Sequence, residues 1–242
     1  MKIAAFFDLD GTLIPPPSLE RRFLRYLVWR DDLGVANFAR WLVRFLLRAP
    51  FGSSSAIDGN KAHLAGISES TVREWAGWLD CYPTEFLPVA LDRLAWHKTQ
   101  GHQIFVVSGT LEPLARTFLA NNLSVPLIVC ATQLESCGGT WTGRTIGEAI
   151  CGPAKAAKIR QLAACYGLDL ARSYAYGDRF ADRWMLETVG HPAVVNPSPA
   201  LRCLARLRYW PVFTWCDPRN LKPLALRAHA TKGKQECRAS QV

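Results

Sequence analysis

Apolar residues in this chain fall into short unbroken runs that alternate with stretches where they recur every three or four positions. An unbroken apolar run bounded by turn-forming residues reads as a buried strand, and the three-to-four spacing reads as a helix face. Residues 3–7 form the first run, which stops at Asp8 in Phe7-Asp8-Leu9-Asp10-Gly11-Thr12 and predicts a buried strand feeding a tight loop. Pro15-Pro16-Pro17 breaks the pattern, and Ser18 is placed as a helix N-cap. From there to about residue 91 the spacing is helical, with predicted helices over 18–30, 34–49, 57–65 and 68–80 and a loop at 51–55. Past residue 84 the pattern changes. A helix to about residue 100 precedes a strand at 103–108, ending in Ser108-Gly109-Thr110. Then follow a helix (111–121), a strand (126–131), a β-hairpin (133–144) around Gly138-Gly139 and a helix (153–166). A strand at 173–176 ends at Gly177-Asp178, a helix runs through Met185-Leu186, and a strand at 191–195 precedes a last helix at 198–209.

Strands that alternate with helices imply an α/β fold with a doubly wound parallel sheet. Residues 15–91 are then an all-helical insertion, a cap, between the first two sheet units. The expected organisation is a discontinuous core at 1–14 and 92–215, the cap at 15–91, and a basic tail at 216–242 whose end is disordered.

A chain of 242 residues suits one domain with an insertion or two small domains. Its formal net charge of +9 favours anionic partners, whether phosphorylated metabolites, nucleic acid or an acidic membrane surface. No nucleic-acid fold motif is present, so nucleic acid is not expected as a partner. None of the eight cysteines forms a C-x-x-C pair, and the reading is of buried free thiols in a reducing cytosol. The apolar N-terminus is too short for a signal-peptide core, which predicts a cytoplasmic protein.

Four loops fall at the carboxyl ends of predicted strands, where open α/β sheets bind ligands. They are Asp8 to Thr12, Ser108-Gly109-Thr110, the turn around Lys155, and Gly177-Asp178 with Asp182. Together they offer carboxylates, hydroxyls, backbone amides and a lysine, a set suited to phosphoryl transfer with Mg²⁺. The cation takes oxygen ligands and cancels the repulsion between a phosphate dianion and an attacking carboxylate. Asp8 and Asp178 are the natural carboxylate ligands. An aspartate can be the nucleophile, and a carboxylate two residues on, Asp10, can serve as general acid and base.

Asp8-Leu9-Asp10-Gly11-Thr12, Ser108-Gly109, Lys155 and Gly177-Asp178-Arg179-Phe180-Ala181-Asp182 resemble the four motifs of haloacid dehalogenase (HAD) superfamily phosphatases. The helical insertion resembles the cap of the phosphoserine-phosphatase-like branch, and the likeness covers about residues 3–215. It implies a Rossmann-like core, Asp8 as nucleophile and Asp10 as general acid and base. It also implies Thr12, Ser108, Gly109 and Lys155 as the phosphate-binding set. Mg²⁺ would be held by Asp8, the Asp10 carbonyl and Asp178, with Asp182 supporting the metal site. Arg179 stands where the family commonly has a small residue, and both a substrate-anion role and a solvent-facing position stay open.

His63, His97 and His102 read as structural or surface residues, and Arg144 as an exposed hairpin charge or a border of the site. In residues 19–51, Phe38, Trp41, Leu42, Phe45 and Leu46 repeat at helical spacing beside an arginine stripe, Arg40, Arg44 and Arg48. Two readings stay open: a cap bundle that packs its own apolar face, and a basic amphipathic hairpin at the surface of an anionic membrane. The expected function is a phosphomonoester hydrolase working through an aspartyl-phosphate on a small phosphorylated metabolite or lipid phosphate. Phosphoserine, histidinol phosphate, phosphatidylglycerophosphate and a phosphotransferase reaction are the alternatives.

Overall fold

The computed structural model describes residues 1–48, 59–81 and 85–215. The predicted loop at 51–55, the first part of the helix predicted at 57–65 and the tail at 216–242 lie outside them. The strands are β1 (Ala4–Phe7), β2 (Gln103–Leu111), β3 (Ile128–Thr132), β4 (Leu134–Cys137), β5 (Thr140–Thr145), β6 (Tyr174–Gly177), β7 (His191–Val195) and β8 (Val212–Phe213). Six of them form one sheet in the order β3-β2-β1-β6-β7-β8, and every neighbouring pair is parallel. This is the expected α/β doubly wound fold.

Side-chain alternation sorts the strands' residues onto two faces. Ala4, Phe6, Phe105, Val107, Ala175 and Val194 point to one core. That core is closed by α6 (Pro153–Tyr166), α7 (Arg183–Leu186) and α8 (Pro199–Leu207) through Ile159, Leu162, Met185, Leu201 and Ala205. Ala5, Phe7, Val106, Tyr176 and Val195 point to the other. Against it pack α1 (Leu19–Trp29), α3 (Thr71–Cys81), α4 (Pro88–Thr99) and α5 (Glu112–Asn122). With both faces covered, the strands carry apolar residues continuously, as a parallel sheet requires.

Ser18 caps α1 as the sequence predicts, its hydroxyl accepting the Arg21 N–H at 3.3 Å. The helix predicted at 57–65 is only a 3₁₀ turn, Ala62–Leu64, within the described residues. β2 does not stop at Ser108. After a register shift Leu111 pairs with Thr132, so the strand continues through Gly109. β8 is two residues long, too short to leave a periodic signal.

The hairpin β4–β5 attaches to the helical segment by backbone hydrogen bonds. Gly66 N–H donates to Trp141 O at 2.8 Å, Trp141 N–H to Ile67 O at 2.9 Å, and Glu69 N–H to Gly139 O at 3.0 Å. Trp141 is thereby buried against Phe23 of α1, with ring centroids 6.0 Å apart. Helix α2 (Val35–Arg48) sits above this layer and fully buries none of its described side chains. Asn37 and Arg44 face the protein, while Val35, Phe38, Leu42, Val43, Leu46 and Leu47 face water. The reading in which this segment packs its own apolar face is met only in part: α1 buries Phe23, Tyr26 and Leu27, and Trp41 and Phe45 of α2 are half-buried, while the other large apolar residues of α2 are exposed. The arginine stripe is also divided: Arg44 donates to Gly143 O at 2.7 Å, Arg40 is exposed, and the side chain of Arg48 lies outside the described residues.

His97 is buried between His102 Nδ1 (2.8 Å from its Nδ1) and the Tyr176 hydroxyl (2.9 Å from its Nε2). Burial and the neighbouring His102 lower its pKa to about 3, so it is a neutral packing residue.

Candidate active site

Phe7 sits level with Val106 of β2 and Tyr176 of β6, so the loops leaving these central strands open on one edge. Asp8 continues the ladder, its N–H donating to Tyr176 O at 2.9 Å, and its carboxylate is buried. Lys155 comes to it from the first turn of α6, where the helix dipole disfavours a cation. Two carboxylates outweigh that penalty: Nζ donates to Asp8 Oδ1 and to Asp182 Oδ1, each at 2.6 Å. Although burial lowers it, the Lys155 pKa is raised by these two acids, and the ammonium stays charged.

Asp182 uses its second oxygen on the loop after β6, accepting the N–H groups of Asp178 at 3.2 Å and Arg179 at 2.9 Å. Both its oxygens are thus engaged in positioning the lysine and that loop. Gly177 permits this close approach, since a Cβ there would lie 2.6 Å from the Asp182 Cβ. Asp178 is half-buried, and the Thr12 hydroxyl donates to its Oδ1 at 3.4 Å. One oxygen each of Asp8, Asp178 and Asp182 lies within 4.8 Å of the others. Burial and the two neighbouring acids raise the Asp178 pKa to about 9, and burial raises that of Asp8 to about 7 against the pull of Lys155. Three carboxylates facing one lysine leave an excess of negative charge that suits a divalent cation with oxygen ligands.

Gly11 is required twice over. Its φ of +89° disfavours any side chain, and a Cβ would lie 2.2 Å from Asp178 Oδ2. Gly11→Ala is expected to displace Asp178 and weaken divalent-metal binding about tenfold or more, measured by isothermal titration. Unchanged affinity would mean that Asp178 does not hold the metal.

Asp10 accepts the backbone N–H of Leu19 at 2.8 Å and the hydroxyl of Thr110. It therefore joins the first loop to the start of α1. Ser108 is buried with its hydroxyl accepting the Thr110 N–H at 3.2 Å, and Gly109 follows it on the cleft wall. Asp8, Asp10, Ser108, Gly109, Lys155, Asp178 and Asp182 all line one open cleft of about 1830 Å³. Thr12 is buried behind Asp178 and reaches the site only through that carboxylate. Arg179 is an exposed residue on the cleft rim, and its charge lowers the pKa of Asp178. Arg144 is exposed on the hairpin, whereas His63 lines the cleft, its pKa lowered to about 4 by burial and then by Lys61.

Sequence reasoning did not single out two arrangements. Lys61, buried, donates to both oxygens of Glu20 at 2.6 and 2.7 Å, and Glu20 also accepts the Leu111 N–H at 3.1 Å. The sequence shows Thr110 only as part of a turn, yet it is a direct partner of Asp10. Lys61 lies within Asn60-Lys61-Ala62-His63, but nothing in that wording says which acid it meets 41 positions away.

Residues 5–187 match the haloacid dehalogenase-like hydrolase family. The chain belongs to that family. Among its relatives, a probable phosphatase of Mycobacterium tuberculosis is 33% identical over 235 residues, spanning 91% of this chain and 78% of the relative. A phosphoserine phosphatase of the same organism is 33% identical over 221 residues, 86% of this chain and 70% of that protein. An inhibition of morphological differentiation protein from Streptomyces azureus is 38% identical over 242 residues, spanning 91% and 81%. Among solved structures, a Bordetella pertussis protein of unknown function superposes with a TM-score of 0.72 at 26% identity, over 89% of this chain and 99% of that one. A substrate-bound phosphoserine phosphatase shares the fold at a TM-score of 0.60 and 17% identity, over 87% and 99%. In this HAD-family hydrolase the family match covers all four loops described above.

Proposed function

We propose that this chain is a magnesium-dependent phosphomonoester hydrolase that works through an aspartyl-phosphate on Asp8. The observation that carries the reading is the buried pair of ion contacts from Lys155 to Asp8 and Asp182, with Asp178 beside them and Asp10 two residues beyond Asp8. The Asp8 carboxylate attacks phosphorus, and the ester P–O bond breaks as Asp10 gives its proton to the leaving oxygen. Asp10 then takes a proton from the water that releases phosphate. Lys155 and the Ser108–Gly109 stretch of β2 hold phosphoryl oxygens where charge gathers, while Thr12 steadies Asp178. Asp8, the Asp10 carbonyl and Asp178 would hold Mg²⁺, and Asp182 would support them. The cation would neutralise the incoming phosphate and the crowded carboxylates.

In this reading residues 1–14 and 92–215 form the catalytic core, and 15–91 form a cap that selects the substrate and limits water access. The substrate is a small phosphorylated metabolite or a lipid phosphate. Phosphoserine, the substrate in the names of some relatives, carries an ammonium group that calls for a free acid in the cap. Glu20 is paired with Lys61, whereas Glu85 lines the cleft from the same segment, so phosphoserine stays among the alternatives. A cytoplasmic location is in keeping with this reading, and no helix among the described residues is long and apolar enough to cross a membrane.

Purified protein is expected to release phosphate from an aryl phosphate with Mg²⁺ and to lose that activity in EDTA. Full activity in metal-free buffer would reject the metal, and no release with any of Mg²⁺, Mn²⁺ or Co²⁺ would reject the phosphatase reading. Release to water that is slower than transfer to an added alcohol would favour a phosphotransferase.

A further inference from the structure

Helix α2 turns six of its large apolar residues to the solvent. At 100° per residue, Asn37, Trp41, Arg44 and Phe45 share one side, and all four are half-buried. Asn37 donates to the carbonyls of His63 and Ala65 at 2.9 and 3.0 Å, so this mixed side, two polar and two aromatic residues, is the one fastened to the protein. The opposite side carries Val35, Phe38, Leu42, Val43, Leu46 and Leu47. Phe38, Leu46 and Leu47 are 62%, 61% and 69% exposed. Six large apolar side chains along a 14-residue helix form a continuous patch of the kind that marks an interaction site.

The surroundings of the patch indicate its partner. On the outward side of α1 lie Arg21, Arg25, Val28 and Trp29, with Trp29 72% exposed. Arg40 is exposed at the margin of the apolar side of α2. Val28 and Phe38 line the same cleft, so the two helices present adjoining surfaces. Apolar residues flanked by arginines, with a tryptophan at the edge, match the layering of an anionic lipid interface, where acyl chains give way to phosphates.

We propose that α2 lies in the interface of an anionic bilayer, its apolar side among the acyl chains and Arg21, Arg25 and Arg40 at the headgroup phosphates. A second copy of the chain fits this surface less well. A two-fold contact would bring two copies of this arginine-bordered surface together, in a protein whose formal net charge is already +9. At about 21 Å in length, α2 rests on the bilayer instead of crossing it. Docked in this way, the protein turns towards the lipid surface a cleft walled by Leu24, Val28, Leu33 and Phe38 that leads to Asp8. The docking stands independently of the phosphatase reading.

The full-length protein should float with phosphatidylcholine vesicles containing about one-third phosphatidylglycerol, bind pure phosphatidylcholine much less, and bind more weakly as salt rises. The double variant Val43→Glu/Leu46→Glu should lose vesicle binding by about tenfold or more, and Arg40→Glu by about fivefold. Far-ultraviolet circular dichroism and the unfolding temperature serve as fold controls that do not depend on activity. No flotation of the full-length protein with anionic vesicles would overturn the proposal, as would binding unchanged in a folded double variant. A dimer in sedimentation that the double variant dissociates, with no vesicle binding, would assign the surface to a second copy instead.

Discussion

Asp8→Asn is expected to lower aryl-phosphate turnover by about four orders of magnitude or more in a protein that stays folded. The carboxamide has the shape of the carboxylate, and its oxygen can still accept from Lys155, whose other contact to Asp182 is untouched. What it lacks is the anionic oxygen that would bond to phosphorus. The Leu19 N–H and the Thr110 hydroxyl fix Asp10 in the place of the proton carrier, Asp182 is turned to Lys155 and two backbone amides, and Asp178 would be held by the metal. Folding stability should hold or rise, because burial and two neighbouring acids already raise the Asp8 pKa to about 7. Turnover measured beside thermal unfolding checks both halves of the prediction. A folded variant within tenfold of the native rate would remove Asp8 from the mechanism.

The second large effect is on stability. Lys155→Met fills much of the same space but strips the counter-charge from Asp8 and Asp182, which are 6% and 2% exposed. Removing one partner of a buried ion pair costs about 3–5 kcal/mol, or on the order of 10 °C in unfolding temperature for a chain of this size. Its pH dependence has a definite sign. A carboxyl with a higher pKa folded than unfolded holds more protons in the folded state, so its stabilising contribution is complete below about pH 4 and disappears as pH rises through the folded value. In the native metal-free protein that window extends up to about 7 for Asp8 and about 9 for Asp178. Without the lysine the acids should be harder to ionise, so the variant should lose stability more steeply between pH 5 and 8 and recover much of it on acidification. Thermal melts across that range in EDTA test this. A deficit that does not change with pH would mean that Lys155 contributes packing and not charge.

The sheet and its loops could be read from the sequence because each signal there is local. The run at 3–7 stops at a charged residue, Gly177-Asp178 follows another buried run, and the order of the loops along the chain places them on one edge of a parallel sheet. Contacts across the helical insertion leave no such trace. Lys61 finds Glu20 through the way α1 and the 62–64 turn pack, and neither residue's neighbours encode that distance. Asp10 shows the same limit: its i+2 spacing from Asp8 is visible, but its bond to Thr110, 100 residues away, exists only after β1 and β2 pair. For α2 the periodicity groups Phe38, Trp41, Leu42, Phe45 and Leu46 on one face, but the structure divides them: Trp41 and Phe45 are half-buried beside Asn37 and Arg44, and Phe38, Leu42 and Leu46 are exposed. The periodicity could not say which side would face the protein, because that depends on whether the facing surface offers carbonyls, as it does at His63, Ala65 and Gly143, or apolar side chains.

The central position of β1 also bears on how the protein is made. Its hydrogen-bonding partners on the two sides begin at Gln103 and Tyr174, so β1 waits on the growing chain for about a hundred residues before one edge is covered and longer before the other. Until then an apolar segment with two open edges is exposed on the growing chain, a natural target for a chaperone. Lys155 and Asp182 emerge later still. A product cut short before Asp182 therefore carries Asp8 without its buried ion network, so the proposed nucleophile is synthesised first and becomes competent only when nearly the whole sheet is in place.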